Sequence, residues 1–305
     1  MFEVMARIAA RLRGSGLLLI VVAVLLAAFA TPASAARPYT ALGDSYTAGP
    51  LIPNQTGDPP GCLRSDRNYP HLVAAARNLS LTDVSCSGAT TEDMTSPQET
   101  DAGTNPAQLD AVRRDTGVVT LGIGGNDIGF TSIIENCTAY SPYGPTKSGE
   151  QYCKDYYVQD DGTDTLAQRI AETQPKVERV LAGIRAKAPG ANVYLRDYPA
   201  VLPPENLTPQ STREQCWPQM PVTYADIPYL RATQERLNAM LKSAATNQGA
   251  SFVATYPASV NHHACSNPLT RYIEPLTPTS PAAPVHPNAR GEAYMADVVR
   301  KTIRR

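Results

Sequence analysis

The residues Val118-Val119-Thr120-Leu121-Gly122-Ile123-Gly124-Gly125-Asn126-Asp127 form a short apolar run that ends in a glycine-rich turn. Several β-branched residues in a run of this length, followed by Gly and Asn, are typical of a strand buried in a sheet. Four more short runs have the same character. They are 39–42, 81–85, 192–196 and 251–254.

Between these strand candidates, apolar residues recur at helical spacing. In the stretch 165–188 they include Leu166, Ile170 and Val177, and Pro175 is expected to kink or restart the helix. The other predicted helices are 69–79, 228–246 and 288–303. Five strands that alternate with helices predict a parallel sheet covered on both faces, which is a three-layer α/β/α fold. No linker separates two patterned halves, so we expect a single domain.

Residues 1–35 differ in character from the rest of the chain. Three arginines at 7, 11 and 13 precede an uncharged run from Gly14 to Ala30, and small residues at Ala33 and Ala35 supply an A-x-A cleavage site. The densely apolar part is shorter than the ~20 residues that a spanning helix needs. We therefore predict a cleaved signal peptide over 1–35, a mature domain over 36–305, a secreted extracellular protein and no stable membrane anchor.

Composition excludes two classes of protein. The chain has 27 Lys+Arg and 28 Asp+Glu, a formal net charge of −1, so a broadly basic nucleic-acid binder is excluded and no nucleic-acid partner is expected. Its 42% hydrophobic content argues against a disordered protein. The sequence does not predict an oligomeric state.

Six cysteines follow the leader, and an even number in an exported chain indicates disulfides. Many pairings are allowed, and sequential pairing closes the shortest loops. No C-x-x-C spacing occurs, which disfavours a zinc ribbon or a thioredoxin-like site. His262 and His263 beside Cys265 suggest a metal site, but a surface loop closed by a disulfide is favoured, so we predict no metal. The cysteines are Cys62, Cys86, Cys137, Cys153, Cys216 and Cys265.

Residues suited to ester chemistry follow several of the predicted strands. Ser45 lies in the Gly-bounded turn after the first strand, Gly88 follows the second, and Asn126 follows the third. His286 precedes the last predicted helix, where it can reach the same sheet edge and act as a base. Each of these residues alone is equally explained by turn or capping chemistry. Four such residues in this order are hard to assign to turns.

With these four blocks the sequence resembles the SGNH, or GDSL-type, serine hydrolases, and above all the secreted actinobacterial GDSL lipases and esterases. The likeness covers roughly residues 39–299. It implies a five-stranded sheet of flavodoxin-like order, long loops over 138–164 and 199–227, and three sequential disulfides. These are Cys62–Cys86, Cys137–Cys153 and Cys216–Cys265.

The resemblance also implies roles for the block residues. Ser45 attacks the ester carbonyl, and His286 takes the Ser proton and returns it to the leaving alcohol. The N–H groups of Ser45 and Gly88 and the side-chain amide of Asn126 hold the oxyanion. No cofactor is needed.

The expected function is therefore that of a secreted serine esterase or lipase whose substrates are carboxylic, mainly fatty-acyl, esters. The alternatives are phospholipase A-type cleavage, removal of acetyl groups from polysaccharide, or a binding module on the same scaffold with Ser and His idle. The Tyr-rich residues of the 138–164 insertion either line an acyl or alcohol pocket or pack against each other.

One position departs from the pattern of the family. An Asp commonly stands three residues before the His and orients its ring, but position 283 is Ala in this chain. We expect a Ser45/His286 dyad in which a backbone carbonyl, that of Ala283 or else of Pro284, accepts the Nδ1 proton. The alternative is a distant carboxylate, for which Glu274 and Glu292 are the candidates.

Overall fold

The structure is a computed structural model that describes residues 36–139, 151–204 and 216–303. The predicted signal peptide over 1–35 lies outside the described residues and stays a prediction. The described residues after Ala36 belong to one compact unit.

The five predicted strands form one parallel sheet, as expected. Its order, β2-β1-β5-β6-β7, is the flavodoxin-like order, in which the chain first winds to one side of β1 and then to the other. The strands β3 and β4 form a separate antiparallel pair that the sequence analysis did not predict. The strands are β1 (Arg37–Gly43), β2 (Leu79–Asp83), β3 (Gln98–Thr100), β4 (Gly103–Asn105), β5 (Val118–Gly122), β6 (Asn192–Arg196) and β7 (Ser251–Val253).

Helices connect the strands and cover the sheet. The described helices are α1 (Ser45–Ala48), α2 (Tyr69–Arg77), α3 (Phe130–Ala139), α4 (Tyr152–Tyr157), α5 (Thr165–Lys187), α6 (Ile227–Asn247), α7 (Tyr256–Ser259) and α8 (Ala289–Thr302). The predicted restart at Pro175 is wrong, because α5 is one helix that contains this residue, and the predicted kink stays a prediction. Pro175 and Ala171, whose carbonyl loses its helical N–H partner, both lie on the exposed face, where water can hydrate that carbonyl.

The strands alternate their side chains between two apolar layers. On one face Tyr39, Ala41 and Val118 pack against α2 and α8. On the other, Leu121 and Leu195 pack with residues of α5 and α6. This alternation follows from the period of two along a strand, and it gives the three-layer α/β/α fold.

Three disulfides fix the connections outside the sheet. They join Cys62 to Cys86, Cys137 to Cys153 and Cys216 to Cys265, which are the sequential pairs. The second ties α3 to α4, and the third ties the start of the described segment 216–303 to the loop after α7. Within the described ranges, no helix is long and apolar enough to cross a membrane.

Candidate active site

Ser45 is the first residue of α1, directly after β1. The preceding Asp44 caps this helix, and its Oδ1 accepts the main-chain N–H of Tyr46 at 3.0 Å. At Gly43 a Cβ atom would lie 2.3 Å from Thr47 Oγ1 and 2.6 Å from the carbonyl oxygen of Gly122. Only glycine therefore allows the sharp turn that places Ser45 at the carboxyl edge of the sheet.

The turns after β2 and β5 meet beside the Ser45 turn. The N–H of Cys86 donates to the carbonyl of Gly43 at 2.9 Å, which joins the turn of Gly88 to the turn of Ser45. The Nδ2 of Asn126 donates to the carbonyl of Ala89 at 2.9 Å, which joins the turn of Asn126 to the turn of Gly88. Gly88, with φ of +81°, lies between these two contacts.

The amide of Asn126 keeps hydrogen-bonding capacity after this contact. An Asn amide has two N–H donors, and one of them is used on Ala89. Asn126 and Ser45 line the same cleft. In the described part of the chain, no hydrogen bond has the N–H of Gly88 as its donor. The expected oxyanion donors therefore lie at adjoining turns.

His286 meets Ser45 from the opposite end of the sequence. Its Nε2 is 2.7 Å from Ser45 Oγ, which is the distance that proton transfer between a nucleophile and its base requires. The ring also packs against Tyr46 and Phe130, with centroid distances of 5.1 and 6.0 Å. Asn288, two residues later, caps α8 by accepting the N–H groups of Arg290 and Gly291.

The carbonyl that orients the His286 ring is that of Pro284. The Nδ1 atom lies 2.7 Å from this oxygen. The preference for Ala283 is thus corrected, because the Ala283 carbonyl accepts the main-chain N–H of His286 at 3.2 Å instead. Val285, which lies between Pro284 and His286, has a left-handed conformation. This conformation turns the Pro284 carbonyl towards the His286 ring, while the Ala283 carbonyl faces the His286 main chain.

The two carboxylates considered as alternatives are engaged elsewhere. Glu274 accepts the side-chain amide of Asn288 at 2.7 Å and the N–H of Thr279 at 2.9 Å. Glu292 accepts the N–H of Tyr69 at 2.7 Å, on the other side of the sheet. Glu274 supports the loop before His286 through main-chain contact, since its N–H donates to the carbonyl of His286 at 2.9 Å.

Burial sets the protonation of the site. It lowers the pKa of His286, although the hydrogen bond to Pro284 opposes this effect. A lowered pKa keeps the imidazole neutral near pH 7, the form able to accept a proton from Ser45. Burial also raises the pKa of Asp44 to about 6, against the hydrogen bond from Tyr198 and the positive charge of Arg196.

Tyr198 is a site residue that the sequence analysis missed. Its hydroxyl donates to Asp44 Oδ2, and the same oxygen accepts the N–H of Gly125 at 2.9 Å. Tyr198 thereby connects the turn of Ser45 to the turn of Asn126. It follows β6 by two residues, and no motif in the sequence distinguishes it from other buried tyrosines.

An apolar cleft opens beside Ser45 and Asn126. It encloses about 830 Å³, including the open space at its mouth. Two polar side chains in its wall are satisfied within the protein: Thr233 donates to the carbonyl of Tyr229, and Gln234 bonds the backbone of Val201 and Pro199. The wall is otherwise mostly aliphatic and includes Ile133, Ile134, Leu202, Met220, Leu230 and Leu237.

The described tyrosines of the first insertion, Tyr152, Tyr156 and Tyr157, are not among the residues that line this cleft. Tyr157 is buried and Tyr156 is 52% exposed, and their rings pack edge to face at 4.9 Å. Tyr140 and Tyr143 lie outside the described residues. Cys137 does line the cleft, so the Cys137–Cys153 disulfide is part of its wall.

Comparison with protein families gives one match over most of the chain. Residues 41–294 match the model of the GDSL-like lipase/acylhydrolase family. This range includes the turns of Ser45, Gly88 and Asn126 and the loop of His286.

Curated relatives and solved structures agree with this match. The chain is 41% identical to "Lipase 2" of Streptomyces coelicolor over 276 residues, 88% of each chain, and 31% identical to an esterase of Streptomyces scabiei, over 75% of this chain and 72% of that one. Its structure resembles phospholipase A1 from Streptomyces albidoflavus NA297, with a TM-score of 0.69 at 25% identity. It also resembles an extracellular lipase from Streptomyces rimosus, with a TM-score of 0.64 at 25% identity. Both likenesses cover 88% of this chain and 100% of the other.

Proposed function

We propose that this chain, which belongs to the GDSL-like lipase/acylhydrolase family and is a carboxylic ester hydrolase, cleaves fatty-acyl esters through an acyl-enzyme on Ser45. One observation supports this proposal above the others. The Ser45 hydroxyl lies 2.7 Å from His286 Nε2, and Ser45 lines an apolar cleft.

The first half of the reaction acylates Ser45. His286 Nε2 accepts the hydroxyl proton while Ser45 Oγ attacks the ester carbonyl, and the carbonyl oxygen becomes an oxyanion. The N–H groups of Ser45 and Gly88 and the free N–H of Asn126 Nδ2 donate to that oxygen. The intermediate then collapses, and the imidazolium of His286 gives its proton to the leaving alcohol.

The second half returns the enzyme to its starting state. A water molecule gives a proton to His286 Nε2 and attacks the acyl carbonyl, and the same donors hold the new oxyanion. The imidazolium then protonates Ser45 Oγ as the carboxylic acid leaves. The Pro284 carbonyl keeps Nδ1 protonated throughout, so that Nε2 is always the atom that exchanges the proton.

The cleft gives the preference for fatty-acyl chains. Burying methylene groups against its aliphatic wall releases about 0.8 kcal/mol for each CH₂ removed from water. The polar groups of Thr233 and Gln234 are already bonded within the protein, so they offer little to a sugar or an acetyl group alone. A long acyl chain is therefore favoured over acetyl esters of polysaccharide.

Phospholipase A-type cleavage is the second candidate. The structural likeness to a phospholipase A1 over 88% of this chain favours it. Such a substrate presents the same fatty-acyl ester to Ser45 and differs only in the alcohol that leaves. The same cleft serves both reactions.

Export of the enzyme is part of the proposal. Residues 1–35 have the composition of a signal peptide, and the structurally similar lipase of S. rimosus is extracellular. Three disulfides suit an oxidising compartment outside the cell. N-terminal sequencing of the protein from culture medium should begin at Ala36, and a chain retained in the cell with Met1 intact would contradict export.

The function is tested by hydrolysis of p-nitrophenyl esters from acetate to palmitate. The wild-type protein should show turnover with an optimum at medium or long chains, and Ser45→Ala should show none. Ser243→Ala, a change at an exposed serine of α6, serves as the matched control and should behave as wild type. Ser45-independent turnover, or none by the folded protein on any ester, would overturn the proposal.

Labelled phosphatidylcholine separates the two candidates. Release of the sn-1 fatty acid at a rate similar to that of a p-nitrophenyl ester favours the phospholipase. Turnover confined to simple esters or acylglycerols favours the lipase.

A further inference from the structure

Val285 has a backbone conformation that its side chain disfavours. Its φ is +59°, and among the described residues with positive φ it is the one β-branched residue. Branching at Cβ makes the left-handed region costly, so a conformation of this kind persists only where surrounding contacts hold it. Val285 lies between Pro284, whose carbonyl orients His286, and His286 itself.

The hydroxyl of Tyr46, a residue of the same helix as Ser45, holds Val285 in place. It donates to the carbonyl oxygen of Val285 at 2.6 Å, and both groups are buried. Tyr46 directly follows Ser45 in α1, and its ring contacts those of His286 and Tyr198, with centroid distances of 5.1 and 5.2 Å.

The rest of the loop is anchored on other elements. The N–H of Val285 donates to the carbonyl of Pro275 at 3.3 Å, and the N–H of Ala283 donates to that of Pro50 at 3.0 Å. The Tyr46 hydrogen bond connects the main chain at Val285 directly to α1, the helix that also carries Ser45. The position of the Pro284 carbonyl is thus fixed relative to α1 and therefore relative to Ser45.

We propose that Tyr46 is a positioning residue, whose hydroxyl holds Val285 in its left-handed conformation and thereby keeps the Pro284 carbonyl on His286 Nδ1. The inference rests on the proposed roles of Ser45 and His286. A neutral carbonyl attracts an imidazolium less than a carboxylate does, so its placement has to be exact to within a fraction of an ångström. The Tyr46 contact supplies that placement where the family's usual Asp is absent.

The first test follows the titration of His286 by NMR, with the ring signals of the four histidines assigned through His286→Gln. In Tyr46→Phe the pKa of His286 should fall, because the imidazolium loses a well-placed acceptor. This measurement needs no substrate, so it stands even if ester hydrolysis is not observed. Wild-type turnover, lost in Ser45→Ala, tests the proposed function separately.

Kinetics provide the second test. Tyr46→Phe keeps the ring that packs on His286, so KM should change little while kcat falls roughly 10- to 100-fold. The acid limb of the kcat/KM profile should move to lower pH with the pKa of His286. Tyr39→Phe is the matched control: it removes a buried hydroxyl that contacts Thr120 Oγ1 at 2.8 Å, and it should lower stability without moving the His286 titration.

A second variant separates positioning from general stability. Glycine accepts positive φ readily, so in Val285→Gly the loop needs the Tyr46 hydroxyl less. Tyr46→Phe should then cost less in kcat on the Val285→Gly background than on the wild type. An unchanged pKa of His286 in folded Tyr46→Phe, or an equal loss of kcat on both backgrounds, would overturn the inference.

Discussion

The hydroxyl of Tyr198 donates to the buried carboxylate of Asp44 and accepts the N–H of Gly125 at 2.9 Å. One oxygen atom thus joins the cap of the Ser45 helix to the turn of Asn126. Tyr198, which follows β6, thus supports both the turn of Ser45, the proposed nucleophile, and the turn of Asn126, a proposed oxyanion donor.

Removing this hydroxyl should destabilise the fold. In Tyr198→Phe, Asp44 loses a donor and the N–H of Gly125 loses its acceptor in a buried environment. The free energy of unfolding should fall by about 1–3 kcal/mol, measured by urea denaturation. Tyr256→Phe, which removes an exposed bond to Glu235, should change it by less than about 0.5 kcal/mol. Equal losses in the two variants would contradict the role of Tyr198.

The raised pKa of Asp44 predicts a pH dependence of stability. The value is about 6 in the folded protein, against an ordinary value of 3.8, so between these pH values the folded state binds more protons than the unfolded state. The contribution of Asp44 to the free energy of unfolding therefore falls as pH rises from about 4 to 6, by up to ~3 kcal/mol, and stays lower above pH 6.

This contribution is isolated by comparing the wild type with Asp44→Asn across that range. Asn keeps an oxygen that can cap α1 but does not ionise. The stability of Asp44→Asn relative to wild type should rise between pH 4 and 7 and then level off. A difference that stays constant with pH would show that Asp44 titrates normally.

Loss of the Asn126 amide should slow acyl transfer. With one oxyanion donor removed, Asn126→Ala should lower kcat about 10²- to 10³-fold with little change in KM. Asn247→Ala, which removes an exposed bond to Glu178, is the control and should keep wild-type kcat. A loss confined to KM would place Asn126 in substrate binding instead.

Reduction of the disulfides should lower thermal stability. Each bridge typically contributes ~2–4 kcal/mol by restricting the unfolded chain. The melting temperature should therefore drop when reductant opens the three bridges, with thiol titration as the control for complete reduction. An unchanged melting temperature with six free thiols would refute the expectation.

Much of the fold could be predicted from sequence, because its strands are apolar runs that end in glycine-rich turns. The runs that begin at Val118 and at Asn192 both form strands of the sheet, as expected. The β3–β4 pair could not be predicted, since its residues, such as Gln98 and Glu99, are polar and show no apolar alternation. α5 continues through Pro175 because this residue lies on the exposed face of the helix, and which face is exposed is set by how the helix packs in the fold.

The site was predictable only in part, for a physical reason. Ser45, Gly88, Asn126 and His286 follow strand ends or precede the last helix, and parallel topology places such positions at one edge. The choice of Pro284 over Ala283 depends on the φ of Val285, which no propensity for valine favours. Tyr46 and Tyr198 bond residues far away in the chain: Tyr46 bonds Val285, and Tyr198 bonds Asp44 and Gly125.

The central claim is that Ser45 is a nucleophile activated by His286, and labelling with a fluorophosphonate tests it most directly. Mass spectrometry of the digested protein should find the phosphonate on the peptide that contains Ser45. Labelling should be absent in Ser45→Ala and much slower in His286→Ala. A folded, disulfide-intact protein that takes no label, or takes it at another residue, would contradict the account.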